Sequence, residues 1–180
     1  MRIVGGDLRG RTLHAVRGKS TRPTADRVRQ SIFDRLGQRC DGARVLDLYA
    51  GTGALALEAL SRGAAHATLV EADAKAAQVI ERNAAELGCA ERCTVVRADV
   101  GRALRQLSGP FDLIFSDPPY ALRAAQATLD ALAAAGLVAP EGRVVVERER
   151  REPQPVLPEG YELEDERRYG DTVVLVARRR

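Results

Sequence analysis

Two histidines and three cysteines are all that 180 residues offer toward metal or imidazole chemistry. His14 and His66 stand alone in the sequence, which argues against a Ser-His-Asp triad and against a histidine-built metal centre. Cys40, Cys89 and Cys93 are odd in number and lack disulfide spacing, and Cys89-x-x-x-Cys93 has no second Cys or His pair to complete a zinc site. They read as free thiols. Long apolar runs are also missing: the most apolar stretches are interrupted by Glu58 and Asp130, well short of a membrane span, and Met1 to Asp7 contains no apolar signal core. The expectation is a cytoplasmic protein with no metal and no membrane partner. Lysine occurs only at Lys19 and Lys75, so arginine carries nearly all the positive charge. In a chain this rich in alanine, that choice is not counted as evidence for phosphate recognition. No internal repeat and no low-complexity linker is present.

What is there suits one domain. An apolar fraction of 45% with 29% charged residues supplies enough core to fold unaided and excludes a disordered tail or a fibre. The formal charge of +3 is unevenly distributed. Residues 1–40 hold ten Lys or Arg against three acids, a net of +7, while residues 41–180 hold 18 against 22, a net of −4. Such asymmetry points to a polyanionic partner for an N-terminal arm, with a solvated basic face as the plainer alternative.

From Arg44 onward, short runs of Val, Ile and Leu alternate with alanine-rich helical stretches, the pattern of parallel strands joined by crossover helices. Strands are predicted at 44–48, 67–70, 94–97, 111–115 and 143–147, with helices at 54–62, 74–87 and about 122–135 and a short one through Leu104 and Leu107. Asp73 is placed to cap the helix that starts at Ala74, and Gly63 and Gly88 to close their helices. Two further strands, 161–169 and 172–177, meet at Gly170-Asp171 as a hairpin. The first 40 residues differ. Ile3 to Gly6 and Thr12 to Val16 look like a small basic hairpin, and Thr24 can cap a helix whose apolar stripe is Ala25, Val28, Ile32 and Leu36. Its other face carries Arg27, Arg29 and Arg35.

In an open parallel sheet, ligands bind beyond the carboxyl ends of the strands, and four of those ends carry an acid. Asp47 precedes the turn Tyr49-Ala50-Gly51-Thr52-Gly53, whose glycines let the backbone approach a ligand. Glu71, eighteen residues after Gly53 and followed by Ala72, is placed to accept hydrogen bonds from ribose hydroxyls. Asp99, followed by Val100, can accept one from an adenine amino group. The Gly turn with Glu71 also fits a dinucleotide fingerprint, but a carboxylate at Asp47 would repel a pyrophosphate. It suits a ligand bearing an ammonium and a sulfonium, which describes S-adenosylmethionine. Read singly, each acid is a helix cap or a loop residue; together they resemble a class I methyltransferase cofactor site.

The strongest local signal is Asp117-Pro118-Pro119-Tyr120 at the end of the fourth strand. It resembles the motif of methyltransferases that modify exocyclic amines of nucleobases. Such an amine has its lone pair delocalised into the ring and is a poor nucleophile. The Asp117 carboxylate and the Pro118 carbonyl can accept its two protons, favouring a pyramidal nitrogen, and Tyr120 can stack on the base. Pro119 has no N–H and a fixed φ, which helps to hold the carbonyl outward. A strand-terminating turn is the plainer alternative. A base has to leave its stack to reach such a pocket, and it is most accessible in an RNA loop or bulge.

Over nearly its whole length the chain resembles the bacterial 16S ribosomal RNA guanine-N2 methyltransferase family called RsmD. The residues that carry the likeness are Arg2-Ile3-Val4-Gly5-Gly6, Arg9-Gly10-Arg11 and Arg22-Pro23-Thr24-Ala25-Asp26-Arg27-Val28-Arg29. In the body, Asp47 to Gly53, Leu57 to Gly63 and Asp117 to Tyr120 follow in the family's order. Gln30 departs from the Glu that the family often has. The resemblance implies a three-layer Rossmann-like α/β fold of the class I methyltransferases, with a seven-stranded, mostly parallel sheet edged by the final antiparallel hairpin. The charge division and the change of pattern near residue 40 separate a basic extension over residues 1–40 from a transferase domain over 41–180, and a monomer is expected. The activity implied is methylation of one guanine amine of 16S ribosomal RNA, in the small subunit or its assembly intermediate. Arg2, Arg9, Arg11, Arg22, Thr24, Arg27 and Arg29 are the expected RNA contacts. Spacing and charge reach only S-adenosylmethionine-dependent methylation of an exocyclic amine on a nucleic acid. Three alternatives stand beside the guanine reading: an adenine-N6 methyltransferase, a nicotinamide-dependent oxidoreductase and a non-catalytic RNA-binding module.

Overall fold

The computed structural model describes residues 1–18 and 23–180, with no account of the Pro23 and Thr24 side chains. Seven strands form one sheet: β1 (Arg44–Leu48), β2 (His66–Val70), β3 (Cys93–Val96), β4 (Phe111–Ser116), β5 (Val138–Glu149), β6 (Tyr161–Tyr169) and β7 (Thr172–Arg179). Their order is β3-β2-β1-β4-β5-β7-β6, parallel from β3 to β5 and antiparallel for β7 and β6. The chain builds outward from β1 through β2 to β3, then returns to the other side of β1 with β4. That reversal opens a crevice at the carboxyl ends of β1 and β4.

Side-chain alternation divides the central strands between two apolar cores. Val45, Phe115 and Val145 point to one face, and Leu46, Leu48, Ile114, Val144 and Val146 to the other. The first face is covered by α1 (Pro23–Arg35), α2 (Ala54–Ser61) and α3 (Ala74–Glu86), the second by α4 (Val100–Gln106) and α5 (Ala125–Ala134). Helix α3 shows how the pattern works: Ala76, Ala77, Ile80, Asn83 and Ala84 line its buried face. Asp73 caps it by accepting from the N–H groups of Lys75 and Ala76 at 2.8 and 3.1 Å, an arrangement that stabilises a helix by about 1 kcal/mol. No helix among the described residues is long and apolar enough to cross a membrane.

The N-terminal segment is tied into the first face. Ile3, Leu13, Ile32, Phe33 and Leu36 join its core, and Phe33 packs on Phe115 with ring centroids 5.7 Å apart. The expected hairpin of two short strands contracts to a single antiparallel bridge, Arg2 to Thr12. Its first arm is diverted because Val4 and Gly5 donate their N–H groups to the carboxylate of Glu58, at 2.9 and 2.8 Å. Gly6 then runs against α2 at φ +75°, where a Cβ would lie 2.0 Å from the Ser61 carbonyl oxygen, so only glycine fits.

Arg29 departs from its expected place on an exposed basic face. It is buried, bonding Glu58, Asp26 and the carbonyl of Arg2. Glu58 sits on α2, and Arg62 completes its shell at 2.9 Å. The guanidinium of Arg29 thus neutralises an internal carboxylate and is not free for phosphate. The proposed Thr24 cap involves a side chain outside the described residues, and the helix starts at Pro23, a favourable first-turn position for proline. Arg22 also lies outside them.

Two element boundaries moved for visible reasons. Helix α5 starts at Ala125 because Tyr120–Leu122 form a 3₁₀ turn and Arg123 takes φ +44°; its first N–H is bonded by Glu152 at 3.1 Å. Strand β5 begins at Val138, before the expected Arg143, since Val138 already pairs with Phe111.

Candidate active site

The glycine turn after β1 is held from three sides. Ala50 donates to the carbonyl of Val70 at 3.0 Å, which anchors the turn to β2, and Gly53 donates back to Ala50 at 2.8 Å. Tyr49, Gly51 and Gly53 all take positive φ, and at Gly53 (φ +80°) a Cβ would press on Leu69 at 3.1 Å. The N–H of Gly51 points to Glu71, 2.7 Å from its carboxylate, whose other oxygen accepts from Asp73 at 3.0 Å. The turn and the acid at the end of β2 are therefore one hydrogen-bonded unit. Thr52 is half-buried within it, and Ala72 lies exposed beside Glu71.

Asp47 is buried below the turn and accepts from the N–H of Ala56 at 3.2 Å. Burial pushes its carboxyl up to about 8, against the Ala56 hydrogen bond, with further upward contributions from the charges of Asp117 and Glu71. Asp99 caps α4, accepting from Arg102 at 2.9 Å, with Val100 buried behind it.

At the end of β4, Pro118 is buried while Asp117, Pro119 and Tyr120 are exposed along the mouth of the crevice. Tyr120 is 49% exposed, and its hydroxyl bonds that of Thr172 at the start of β7. Asp117 keeps solvent access, yet the protein around its carboxyl pushes it up to about 6, opposed by a hydrogen bond from Glu147. The structure thus gathers Asp47, the 49–53 turn, Glu71 and Asp117 at adjoining strand ends, with Asp99 at the end of β3. Arg2, Arg9, Arg11 and Arg27 are exposed on the N-terminal segment and α1.

Two residues escaped the sequence argument. Glu147 lies beside Asp117 and is pushed well above the usual carboxylate range by burial and by the charges of Asp117 and Asp47. Its signal was an acid closing the Val144-Val145-Val146 run. Asn83, buried on α3, donates to the carbonyl of Thr52 at 3.0 Å and bonds the backbone of His14. Its signal was an amide within an otherwise apolar helical stripe. Among the described residues, no group of His, Cys, Asp or Glu is arranged to hold a metal ion.

Comparison with known proteins agrees with this geometry. Residues 1–178 match the family described as Conserved hypothetical protein 95. The chain is 38% identical over 183 residues to YlbH of Bacillus subtilis, spanning the full length of both. It is 38% identical over 167 residues to ribosomal RNA small subunit methyltransferase D of Escherichia coli, covering 93% of this chain and 84% of that protein. The solved structure of yhhF from Escherichia coli superimposes with a TM-score of 0.91 at 36% identity, over 99% of this chain and 97% of the other. The sheet order and the crevice are those of the class I methyltransferase fold, and the chain belongs to the ribosomal RNA small subunit methyltransferase D family.

Proposed function

We propose that this protein methylates the exocyclic N2 amine of a guanine in small-subunit ribosomal RNA, using S-adenosylmethionine. The observation that carries the reading is the position of Asp117-Pro118-Pro119-Tyr120, one strand from the Asp47 and glycine-turn crevice, in a chain of this family.

The residues present fit the cofactor. A buried carboxyl at Asp47, held near 8 with no Lys or Arg paired to it among the described residues, is an unbalanced group that a cationic ligand would bring back to its charged form. When bound, S-adenosylmethionine supplies an electrophilic methyl group. Asp47 and the backbone of Tyr49 to Gly53 would hold its amino-acid portion, Glu71 with Ala72 its ribose, and Asp99 with Val100 its base. Asp117 and the Pro118 carbonyl orient the amine, and the Asp117 carboxylate takes the proton that the nitrogen must lose. Tyr120 offers an exposed ring for stacking on the extruded base. Positioning and electrostatics supply most of the acceleration.

Residues 1–40 serve in this reading as the RNA-facing layer of residues 41–180, with Arg2, Arg9, Arg11 and Arg27 as phosphate contacts in a cytoplasmic monomer acting on the subunit or its assembly intermediate. The test is incubation with labelled S-adenosylmethionine and either bare RNA or small-subunit particles, followed by mass-spectrometric mapping. N2-methylguanine in the small-subunit RNA is the expected product. Label on an adenine amine, or none on either substrate, rejects the proposal.

A further inference from the structure

Glu147 has no part in the reading above, yet the sheet delivers it to the reacting group. The parallel β4–β5 register ends with Ser116 opposite Val146, and Asp117 and Glu147 are the residues that follow these two along the chain. The two-residue period sets both on the face shared by Phe115, Val145 and Asp47. Neighbouring strands run about 4.8 Å apart, close enough for the two carboxyls to meet. Each acts on the ionisation of the other: Glu147 holds the Asp117 carboxyl down and Asp117 pushes the Glu147 carboxyl up.

Asp117, just after β4, and Asp47 on β1 are the acidic groups that act on Glu147. Opposite it, β7 presents Val174; beyond, β6 carries Arg167, which pairs with Asp165. Helix α1 brings Ser31, whose hydroxyl bonds that of Tyr169. Among the described residues, no Lys or Arg is paired with Asp47, Asp117 or Glu147. Like charges this close cannot all be ionised, so a proton has to reside between Asp117 and Glu147. Glu147 is the less exposed of the two, so the proton rests there.

We propose that protonated Glu147 donates a hydrogen bond to one oxygen of the Asp117 carboxylate and so fixes the other oxygen toward the target amine. It is a positioning residue for methyl transfer. The inference rests on the assignment of Asp117 to the amine. In the step itself the nitrogen lone pair forms the new N–C bond. The old S–C bond breaks with its electron pair left on sulfur, and one proton passes from nitrogen to the oriented oxygen of Asp117. Glu147 keeps its own proton throughout.

Two variants of similar volume separate this role from packing. Glu147→Gln retains a donor, and Glu147→Met does not. On small-subunit particles, Glu147→Gln is expected to hold kcat within about threefold of the wild type. Glu147→Met should lower kcat about tenfold or more, the scale of one lost hydrogen bond. KM for the particle and the affinity for S-adenosylmethionine stay within a few fold in both. The acid limb of the kcat profile stays in place in Glu147→Gln. It moves to higher pH in Glu147→Met, because the hydrogen bond that holds Asp117 down is gone. Equal loss in both variants overturns the proposal, since Glu147 would then act ionised; so does a Glu147→Met protein as active as the wild type. If the wild type methylates an adenine amine, the guanine assignment fails, and the same comparison still decides the role of Glu147 on that amine.

Discussion

Asn83 holds the carbonyl of Thr52 from inside the protein, with its Nδ2 3.0 Å from that oxygen, while its Oδ1 accepts the N–H of His14 at 2.8 Å. One buried amide therefore joins the glycine turn to the N-terminal segment. Asn83→Ala leaves the Thr52 carbonyl and the His14 backbone without these partners, at a cost of about 1–3 kcal/mol for each group left unpaired in the interior. The expected outcome is a lower melting temperature together with weaker S-adenosylmethionine binding by calorimetry. Unchanged binding would show that the turn holds its shape without Asn83.

Glu58 organises the other half of that junction. Glu58→Gln removes the charge between Arg29 and Arg62, leaving two buried guanidiniums against a neutral amide. Breaking a buried pair in this way destabilises by about 3–5 kcal/mol, read from urea unfolding. A change below about 1 kcal/mol would mean that water or the Asp26 carboxylate compensates.

The same junction governs how RNA binding has to be tested. Deletion of residues 1–22 removes Ile3 and Leu13 from the core and the contacts to Glu58. Charge reversal of the exposed Arg9 and Arg27 avoids that damage. The double variant is expected to bind RNA more weakly, with a salt dependence shallower by roughly one unit of log–log slope per arginine, and to bind S-adenosylmethionine as before. A salt dependence identical to the wild type would remove these two arginines from the interface.

Asp47 links pH to stability. Its carboxyl sits near 8 in the folded protein against an ordinary value near 4 in the unfolded chain. The stabilisation is fully present below the unfolded value and is lost as pH rises through about 8. Asp47→Asn, which keeps the acceptor for Ala56, is therefore expected to melt like the wild type near pH 4 and above it near pH 9. It should bind S-adenosylmethionine poorly at both. Equal melting temperatures at pH 9 would place Asp47 in contact with water or a cation.

Asp117 is expected to act as an acceptor only when ionised. With its carboxyl raised to about 6, turnover is fully supported above that pH and falls as pH drops through it. Asp117→Ala should reduce methyl transfer by about a hundredfold or more, with cofactor affinity within a few fold. Loss of cofactor binding instead would reassign Asp117 to the cofactor site.

The body of the fold was legible because its signals are local. The run Arg44 to Leu48, the turn that follows it, the Asp73 cap and the final hairpin each depend on residues near in sequence, and each lies where the pattern put it. Acids at strand ends could likewise be read as a set, because parallel strands bring their carboxyl ends to one edge. Arg29, Asn83 and Glu147 were illegible for the opposite reason. The surroundings of each are set by a partner far along the chain: Glu58 for Arg29, Thr52 and His14 for Asn83, Asp117 for Glu147. The sequence by itself determined the alternating strands and helices, the glycine turn and the Asp-Pro-Pro-Tyr motif at the end of the fourth strand. Only the tertiary structure decided which arginine is surface and which is core, and which carboxyl lies beside Asp117, because burial and strand register are properties of neighbours brought together by folding.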